Sequence, residues 1–232
     1  MPAAPKSLSA LNARIVACER CPRLRSYCAE VARVRRKAYA EVEYWGRPVP
    51  SFGDPQARVL VVGLAPGAHG SNRTGRPFTG DGSGDFLFPA LYETGFASQP
   101  KAFSCDDGMK LSGLWINSVV RCAPPANKPT PEELRTCAPW LDEEIRLLKH
   151  LRVVVCLGKI AFDGFLAHQV RAGQLPARSG FVFRHGAEYA LPSGFILMAS
   201  YHPSLQNTNT GKLTRPMFLG IFNRARQLAG LP

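Results

Sequence analysis

The sequence predicts an α/β fold in which helices cover both faces of a parallel sheet. Four short apolar segments rich in β-branched residues are typical of buried parallel strands, and helical patterns separate them along the chain. Strands and helices that alternate in this way build a parallel sheet between layers of helices. Because the chain has 232 residues, we expect one large domain over residues 1–232.

The predicted elements follow in order from the N-terminus. Residues 1–40 have a mostly helical pattern with a Cys-Pro turn at 21–22, and a proline-rich connection covers 41–57. The predicted strands are 58–63, 114–121, 152–157 and 195–200, and the predicted helices are 84–94, 131–150, 158–168 and 215–229. The second of these helices has the clearest start, because Thr130 is a good N-cap and a proline and two acids follow it. Residues 180–190 have the pattern of a small hairpin.

The charge of the chain favours a polyanionic partner, since its net value is +12. Residues 1–50 carry ten Lys or Arg against four acids, and residues 201–232 carry four against none. If these two ends meet, they flank one groove, and nucleic acid is the expected partner; a basic surface kept for solubility is the alternative. No segment approaches the ~18 apolar residues of a membrane span, and no signal peptide is evident. We therefore expect a cytoplasmic protein without membrane contact.

A long glycine-rich loop follows the first predicted strand. Residues 63–81 have the sequence GLAPGAHGSNRTGRPFTGD, which contains one aromatic residue, Phe78. Glycine lets a backbone approach a ligand closely and adopt positive φ. Ligands of open α/β sheets bind at the carboxyl ends of the strands. The loop is therefore predicted to form the floor of a binding pocket.

Further polar residues lie at the ends of two other predicted strands. Asn117 interrupts an apolar strand, so it either bonds neighbouring loops or binds a ligand edge that presents a donor and an acceptor. His202 follows the last strand and precedes a proline, at the same sheet edge. The polar loop 206–212 offers donors to phosphate oxygens, and Leu205 is either an apolar wedge between bases or ordinary loop packing.

Four of the seven cysteines form a candidate metal site. Cys18 and Cys21 make a CxxC pair, and fourteen residues separate Cys122 from Cys137. Four thiolates at one point hold either zinc or an iron–sulfur cluster. The wide second spacing favours iron–sulfur, because zinc ribbons usually have two CxxC pairs; buried thiols without a metal are the third alternative. Cys156, in an apolar strand, is a small core residue.

Together, residues 63–81, the segment 117–128 (NSVVRCAPPANK), the tripeptide 202–204 (HPS) and the four cysteines resemble the uracil-DNA glycosylase superfamily, most of all its iron–sulfur family 5. The resemblance implies a three-layer α/β/α sandwich around a four-stranded, mainly parallel sheet. It implies a structural 4Fe–4S cluster on Cys18, Cys21, Cys122 and Cys137, with two ligands from the segment 1–40. The implied activity is hydrolysis of the N-glycosidic bond of uracil in DNA, which leaves an abasic site; family 5 also acts on hypoxanthine and ethenocytosine.

The resemblance also assigns roles to individual residues. Phe78 stacks on a base flipped out of the helix, Asn117 binds the uracil edge, and His202 donates to uracil O2, where negative charge develops. Gly63 and Ala65 belong to the base pocket. The residues expected to contact DNA are Arg73, Ser204, Leu205, Asn207 and Lys212.

The two residues after the first glycine of the loop depart from the other branches of the superfamily. Those branches have an acidic or amide side chain within the residues right after this glycine, whereas this chain has Leu64 and Ala65 there. Asn72, His69 and Asp81 are then the candidates to handle water or the sugar cation. Stabilisation of the leaving base and geometry would do most of the catalysis.

Two other functions remain open from the sequence. The chain is either a glycosylase or an iron–sulfur protein that recognises uracil in DNA with little or no catalysis. A metal-dependent protein that binds single-stranded nucleic acid is the third hypothesis. A monomer is expected in each case.

Overall fold

A six-stranded sheet organises residues 4–232, which are the residues described by the computed structural model. The spatial order of the strands is β1-β3-β2-β4-β6-β5. The strands are β1 (Phe52–Gly53), β2 (Val59–Gly63), β3 (Leu114–Ser118), β4 (Val153–Leu157), β5 (Glu188–Ala190) and β6 (Ile196–Ser200).

The four predicted strands are the inner, parallel part of this sheet. β3, β2, β4 and β6 pair in parallel, and their residues are almost all buried, as continuous apolar segments between two helix layers should be. The expected count of four strands was too low, because β1 and β5 add antiparallel edges. Both edge strands are very short, and residues 188 and 190 of β5 are exposed, so neither has a detectable sequence pattern. The hairpin expected within 180–190 instead joins β5 to β6.

Helices lie in front of and behind the sheet. The predicted helices are confirmed within the described residues, while residues 1–3 of the segment 1–40 lie outside them. The bounds are α1 (Leu8–Val16), α2 (Pro22–Val34), α3 (Ser71–Thr74), α4 (Gly82–Glu93), α5 (Pro131–Leu147), α6 (Lys159–Arg171), α7 (Leu205–Asn209) and α8 (Arg215–Leu228). The short α3 and α7 were not predicted. The predicted start of α5 has a full capping box: the Glu133 backbone N–H donates to the Thr130 hydroxyl at 3.2 Å, and the Thr130 N–H donates to the Glu133 carboxylate at 2.8 Å.

Two apolar cores hold the three layers together. Alternate residues of each strand face opposite sides, so Leu60 and Val62 pack towards α1, α5 and α6, whereas Val59 and Val61 pack towards α4 and α8. The three-layer α/β/α architecture is therefore confirmed. No helix within residues 4–232 is both long and apolar enough to cross a membrane.

The parallel strands all end at the same edge of the sheet. Gly63 ends β2, Ser118 ends β3 and Ser200 ends β6. The glycine-rich loop 64–81, the loop 119–130 and the segment 201–204 therefore emerge side by side, which brings the predicted polar segments together.

Candidate functional site

A cleft of about 740 Å³ opens at this edge of the sheet. Its walls come from the loops that follow β2, β3 and β6, so three of the predicted segments meet in one place. The residues that matter most for its chemistry are Ala65, His69, Phe78, Asp81, Ser118 and His202.

Phe78 and His202 form the apolar and polar sides of the cleft. Their ring centroids are 6.0 Å apart, with the ring planes inclined by 33°. Desolvation lowers the pKa of His202 to about 4, so its imidazole is neutral at pH 7. A neutral imidazole carries one N–H donor. The cleft therefore offers a flat aromatic surface beside a neutral hydrogen-bond donor.

Phe78 occupies a strained position that depends on Gly63. Its backbone has φ of +52°, which is uncommon for a bulky residue, and its side chain is 8% exposed. A Cβ atom at Gly63 would lie 2.8 Å from the ring carbon Cζ of Phe78. Only glycine at the end of β2 leaves room for the ring. Strained conformations of this kind cluster at functional sites, where the surrounding structure maintains them.

Asn207 holds the backbone at His202. Its side-chain amide donates to the His202 carbonyl oxygen at 2.8 Å, within a turn that Ser204 caps as the first residue before α7. Asn207 was predicted to contact DNA, but its amide hydrogen bond is directed at the protein backbone. Ser204 lines the cleft as well.

His69 has a fixed hydrogen-bond partner that the sequence did not reveal. The hydroxyl oxygen of Tyr44 lies 3.1 Å from His69 Nδ1 and accepts a hydrogen bond from the Arg36 backbone N–H at 3.4 Å. The Tyr44 hydroxyl and His69 Nδ1 share this hydrogen bond, and its direction follows the tautomer of the ring. Burial, with the charges of Arg36 and Arg73, lowers the pKa of His69. His69 is thus a second neutral imidazole in the cleft wall.

The structure places two predicted asparagines outside the cleft. Asn117 is fully buried, and its amide nitrogen donates to a Glu144 carboxylate oxygen at 2.7 Å. Strand alternation explains this placement: Ser118, the next residue, faces the cleft, so Asn117 faces α5. Asn72 is also fully buried, and its amide donates to the carbonyls of Cys28 and Ala68 at 3.3 and 3.4 Å. The amide nitrogens of both residues thus have protein partners, whereas their Oδ1 atoms are buried without a hydrogen-bond partner among the described residues, so the contacts to base and water stay predictions.

Glu144 is the centre of a buried polar network that sequence reasoning missed. Its carboxylate accepts hydrogen bonds from Asn117, from the Trp115 indole at 2.8 Å and from the Arg121 guanidinium. Arg121 also donates to Ser51 and lines the cleft. The position of Glu144 among the apolar residues of α5, next to Ile145, was the only sequence signal for this network.

The predicted DNA-contacting residues are only partly available to a ligand. Arg73 donates to the carbonyls of His69 and Gly80, each at 2.8 Å, so its guanidinium braces the glycine-rich loop and is not directed into the cleft. Lys212 lies over the Tyr201 ring, 4.9 Å from its centroid. Leu205 is 58% exposed and lines the cleft.

The four predicted metal-ligating cysteines line one small pocket. Cys18 and Cys21 lie between α1 and α2, Cys122 follows β3, and Cys137 belongs to α5. The Arg121 backbone N–H donates to Cys137 Sγ at 3.3 Å, and desolvation raises the pKa of Cys137 to about 11. Within residues 4–232, no three His, Cys, Asp or Glu side chains converge in the arrangement of a ready metal site.

The other three cysteines have separate environments. Cys28 is buried beside Cys122 and its thiol donates to the Ala123 carbonyl at 3.6 Å. Cys156 lies in the core on β4, as predicted, and Cys105 is exposed. None of the cysteines in the described part of the chain forms a disulfide.

Comparison of the chain with known proteins gives consistent matches to uracil-DNA glycosylases. Residues 50–226 match the family model of the uracil DNA glycosylase superfamily. A type-5 uracil-DNA glycosylase of Thermus thermophilus is 55% identical over 94% of this chain and 96% of its own length. Proteins of the same name are 47% identical in Mycobacterium tuberculosis, over 97% of this chain and 83% of theirs, and 46% identical in Pyrobaculum aerophilum, over 94% and 91%.

Proposed function

The chain belongs to the uracil DNA glycosylase superfamily, and from this premise we propose that it is a DNA repair enzyme that removes uracil from DNA. It hydrolyses the N-glycosidic bond and leaves an abasic site. The observation that carries this proposal at the level of residues is the pairing of Phe78 with the neutral His202 in the cleft.

The base has to leave the duplex before the cleft can hold it. Enzymes that act on a base flip it out of the stack and place it between aromatic or apolar side chains. Phe78 offers the flat surface, and Ala65 leaves space on the floor of the cleft. Leu205, exposed at the cleft, is positioned to fill the gap in the base stack.

His202 lowers the barrier to bond cleavage. When the glycosidic bond breaks, its electron pair moves to the departing base, and the carbonyl O2 gains negative charge. A donor that is already aimed at this atom stabilises the transition state more than the ground state. Asn207 holds the His202 backbone, which fixes the point from which the imidazole projects into the cleft.

Ser118 replaces Asn117 in our account of base selection. The Ser118 hydroxyl both donates and accepts, and it lies beside the Phe78 ring: a Cβ at Gly63 would be 3.2 Å from its Oγ and 2.8 Å from the ring. An edge of uracil stacked on Phe78 would meet this hydroxyl. Backbone N–H groups of residues 64–70 supply further donors.

A wider substrate range is part of the proposal. The position after Leu64 carries alanine where other branches have a polar side chain, so a base larger than uracil meets less obstruction. We therefore propose activity on hypoxanthine and ethenocytosine as well as on uracil.

The cysteine pocket is proposed to hold a 4Fe–4S cluster. Its four thiols, from Cys18, Cys21, Cys122 and Cys137, match the ligand number and type of such clusters. When bound, the cluster supplies a crosslink between the N-terminal helices, the loop after β3 and α5. Cys137 accepts the Arg121 N–H hydrogen bond, which is a common second contact of a metal-bound sulfur.

DNA is the proposed partner. Arg36, from the basic N-terminal region, lines the cleft, and His202, Ser204, Leu205 and Gln206 line it from the C-terminal region, which supports a groove that both ends of the chain border. Because all seven cysteines are unpaired, a reducing compartment such as the cytoplasm is proposed. A monomer is proposed as the active form.

An alkali-nicking assay tests this function. Purified protein is incubated with labelled duplexes that contain one uracil, one hypoxanthine, one ethenocytosine or no lesion. Nicking only at lesions supports the proposal and ranks the substrates. Binding that depends on uracil without nicking would favour a recognition protein, and binding indifferent to uracil would favour a general nucleic-acid binder.

A further inference from the structure

We propose that Arg76 is a positioning residue for base excision: paired with Asp107, its guanidinium holds the backbone around Phe78 and so keeps the Phe78 ring in the cleft. The inference rests on the proposed function, because it concerns the ring on which the base stacks. Pro77 and Phe78 line the cleft, whereas Arg76 is absent from its lining within the described residues. Arg76 therefore acts through Phe78 and not on the substrate.

Arg76 and Asp107 form a buried ion pair with two parallel hydrogen bonds. Arg76 Nη1 donates to Asp107 Oδ1 at 2.8 Å, and Nη2 donates to Oδ2 at 2.6 Å. The two side chains are only 3% and 8% exposed. A planar guanidinium that binds both oxygens of a carboxylate has a defined orientation, and burial makes the loss of either partner costly. The pair therefore fixes the place of the Arg76 side chain.

Asp107 is itself anchored to the loop between α4 and β3. Its carboxylate accepts hydrogen bonds from the backbone N–H groups of Phe103, Ser104 and Met109, at 2.8, 3.3 and 3.0 Å. Burial acts to raise the pKa of Asp107, but the hydrogen bonds from Arg76 and from this loop hold that pKa below its ordinary value. Asp107 is thus a carboxylate at neutral pH, and it binds Arg76 to a separate segment of the chain.

The remaining donor of the Arg76 side chain binds on the far side of Phe78. Arg76 Nε donates to the Thr79 hydroxyl at 2.9 Å, and this hydroxyl donates to the Pro77 carbonyl at 3.2 Å. Thr79 is fully buried, so water does not compete for these bonds. The residues before and after Phe78 are therefore joined through one buried side chain.

Phe78 needs such support because its backbone is strained. Its φ of +52° is unfavourable for a residue with a bulky side chain, and conformations of this kind persist only where the surrounding structure enforces them. The start of α4 lies close on one side, since a Cβ at Gly84 would be 1.8 Å from the Phe78 carbonyl oxygen. The hydrogen bonds of Arg76 restrain the neighbouring residues. Without them, the backbone relaxes and the ring leaves its position 6.0 Å from the His202 ring.

The contacts at position 76 suit arginine and not lysine. The three nitrogens of the side chain all donate, two to Asp107 and one to Thr79. The ring centroids of Phe52 and Phe88 lie 5.0 and 5.9 Å from the guanidinium carbon, within reach of a cation–π contact. Lysine carries the same charge on a single flexible ammonium group. Arg76→Lys therefore keeps the charge opposite Asp107 and removes the fixed fork that also binds Thr79.

The test measures Arg76→Lys in two backgrounds, wild type and Phe78→Ala. Single-turnover excision of uracil at saturating enzyme reports the chemical step, and thermal unfolding reports the fold. Binding to a duplex with a tetrahydrofuran abasic-site analogue reports the DNA contacts that need no stacked base. The matched control is Arg224→Lys, because Arg224 also binds both oxygens of a carboxylate, that of Glu188, at 2.9 and 3.1 Å, and neither residue lines the cleft in the described part of the chain.

We expect Arg76→Lys to lower the excision rate in the wild-type background by roughly 10- to 100-fold, as a misplaced group at a reacting centre does. In the Phe78→Ala background the same substitution should change the rate by less than about twofold, since no ring is left to position. Affinity for the abasic analogue should stay within about twofold of wild type, and Arg224→Lys should excise uracil as wild type does.

A second variant guards against a simple loss of folding. Arg76→Met combined with Asp107→Asn leaves no buried charge without a partner, so the stability is largely kept, yet the hydrogen bond to Thr79 is gone. This double variant should show the same rate loss, and the same dependence of that loss on Phe78.

Three outcomes would overturn the role of Arg76: excision within about twofold of wild type by either folded variant, an equal rate loss in the Phe78→Ala background, or failure of both variants to fold, which would assign the ion pair to stability alone. Failure of the proposed function would look different, because wild-type protein itself would then excise no uracil.

Discussion

The contact between Gly63 and Phe78 gives a sharp test of how the base is held. Replacing Gly63 by alanine puts a Cβ atom 2.8 Å from Phe78 Cζ and 3.2 Å from Ser118 Oγ. The ring has to retreat by about 0.6 Å to reach the shortest ordinary contact of 3.4 Å. Because Phe78 is nearly buried and the His202 ring lies on another side, this movement displaces the surface on which the base stacks.

The displacement of the Phe78 ring should change both the stability of the protein and the excision rate. Overpacking of a well-filled site costs about 1–3 kcal/mol of the free energy of unfolding. A misplacement of about 1 Å at a reacting centre costs roughly 10²-fold in rate, so a shift of about 0.6 Å should cost roughly 10- to 100-fold. The rate loss should appear in single-turnover excision at saturating enzyme, where binding no longer limits.

The matched control is Gly220→Ala. Gly220 lies on the exposed face of α8, and a Cβ there meets no atom within 4 Å. Alanine should stabilise that helix by roughly 0.5–1 kcal/mol and leave excision unchanged. The reasoning is refuted if Gly63→Ala excises uracil within twofold of wild type, or if both glycine variants lose the same activity.

Three further predictions concern the donor, the base edge and the cysteine pocket. His202→Ala should lower the excision rate by roughly 10²–10³-fold, as does loss of an oxyanion donor. Because the pKa of His202 is about 4, the imidazole is neutral from about pH 5 upwards, and the substitution should not change the shape of the pH–rate profile there. A rate near that of wild type would refute the role of His202. Ser118→Ala should reduce the ratio of uracil excision to cytosine excision. Asn117→Ala should instead lower the free energy of unfolding by about 1–3 kcal/mol, because Glu144 loses one hydrogen-bond donor. If only Asn117→Ala changes the excision ratio, then Asn117 and not Ser118 contacts the edge of the base. Cys122→Ser should give a colourless protein with a lower melting temperature, while the exposed Cys105→Ser keeps the brown absorbance; a brown, stable Cys122→Ser protein would show that the ligand set is wrong.

The sequence predicted the elements whose patterns are local. The inner strands are continuous apolar segments, and the start of α5 combines an N-cap, a proline and an acid three residues on, so each was recognisable alone. The edge strands β1 and β5 were missed because two or three residues carry no periodicity. Their place in the sheet is decided by neighbouring strands far away in the chain.

The difference between local patterns and long-range contacts also explains which cleft residues could be predicted. Phe78, Ala65 and His202 lie at strand ends or in the loop directly after one, so topology alone brings them to one edge. Asn117 was assigned to the cleft although a shift of one residue reverses the face of a strand. Arg73, expected to bind DNA, braces its own loop, and no sequence pattern indicates which carbonyls a guanidinium will meet.

The partnerships that shape the site are long-range contacts. Tyr44 orients His69 across 25 residues of chain, and the Arg121 ion pair with Glu144 spans 23. Such pairs depend on how the layers pack, so one sequence could not have identified them.

Release of free uracil is the measurement that tests the central claim most directly. A duplex with one radiolabelled uracil is incubated with wild-type protein, and free base and strand length are measured before any alkali is added. Our account predicts free uracil in amounts equal to the abasic sites, with the strand still intact. Stable binding to the uracil duplex with no release of base would contradict it.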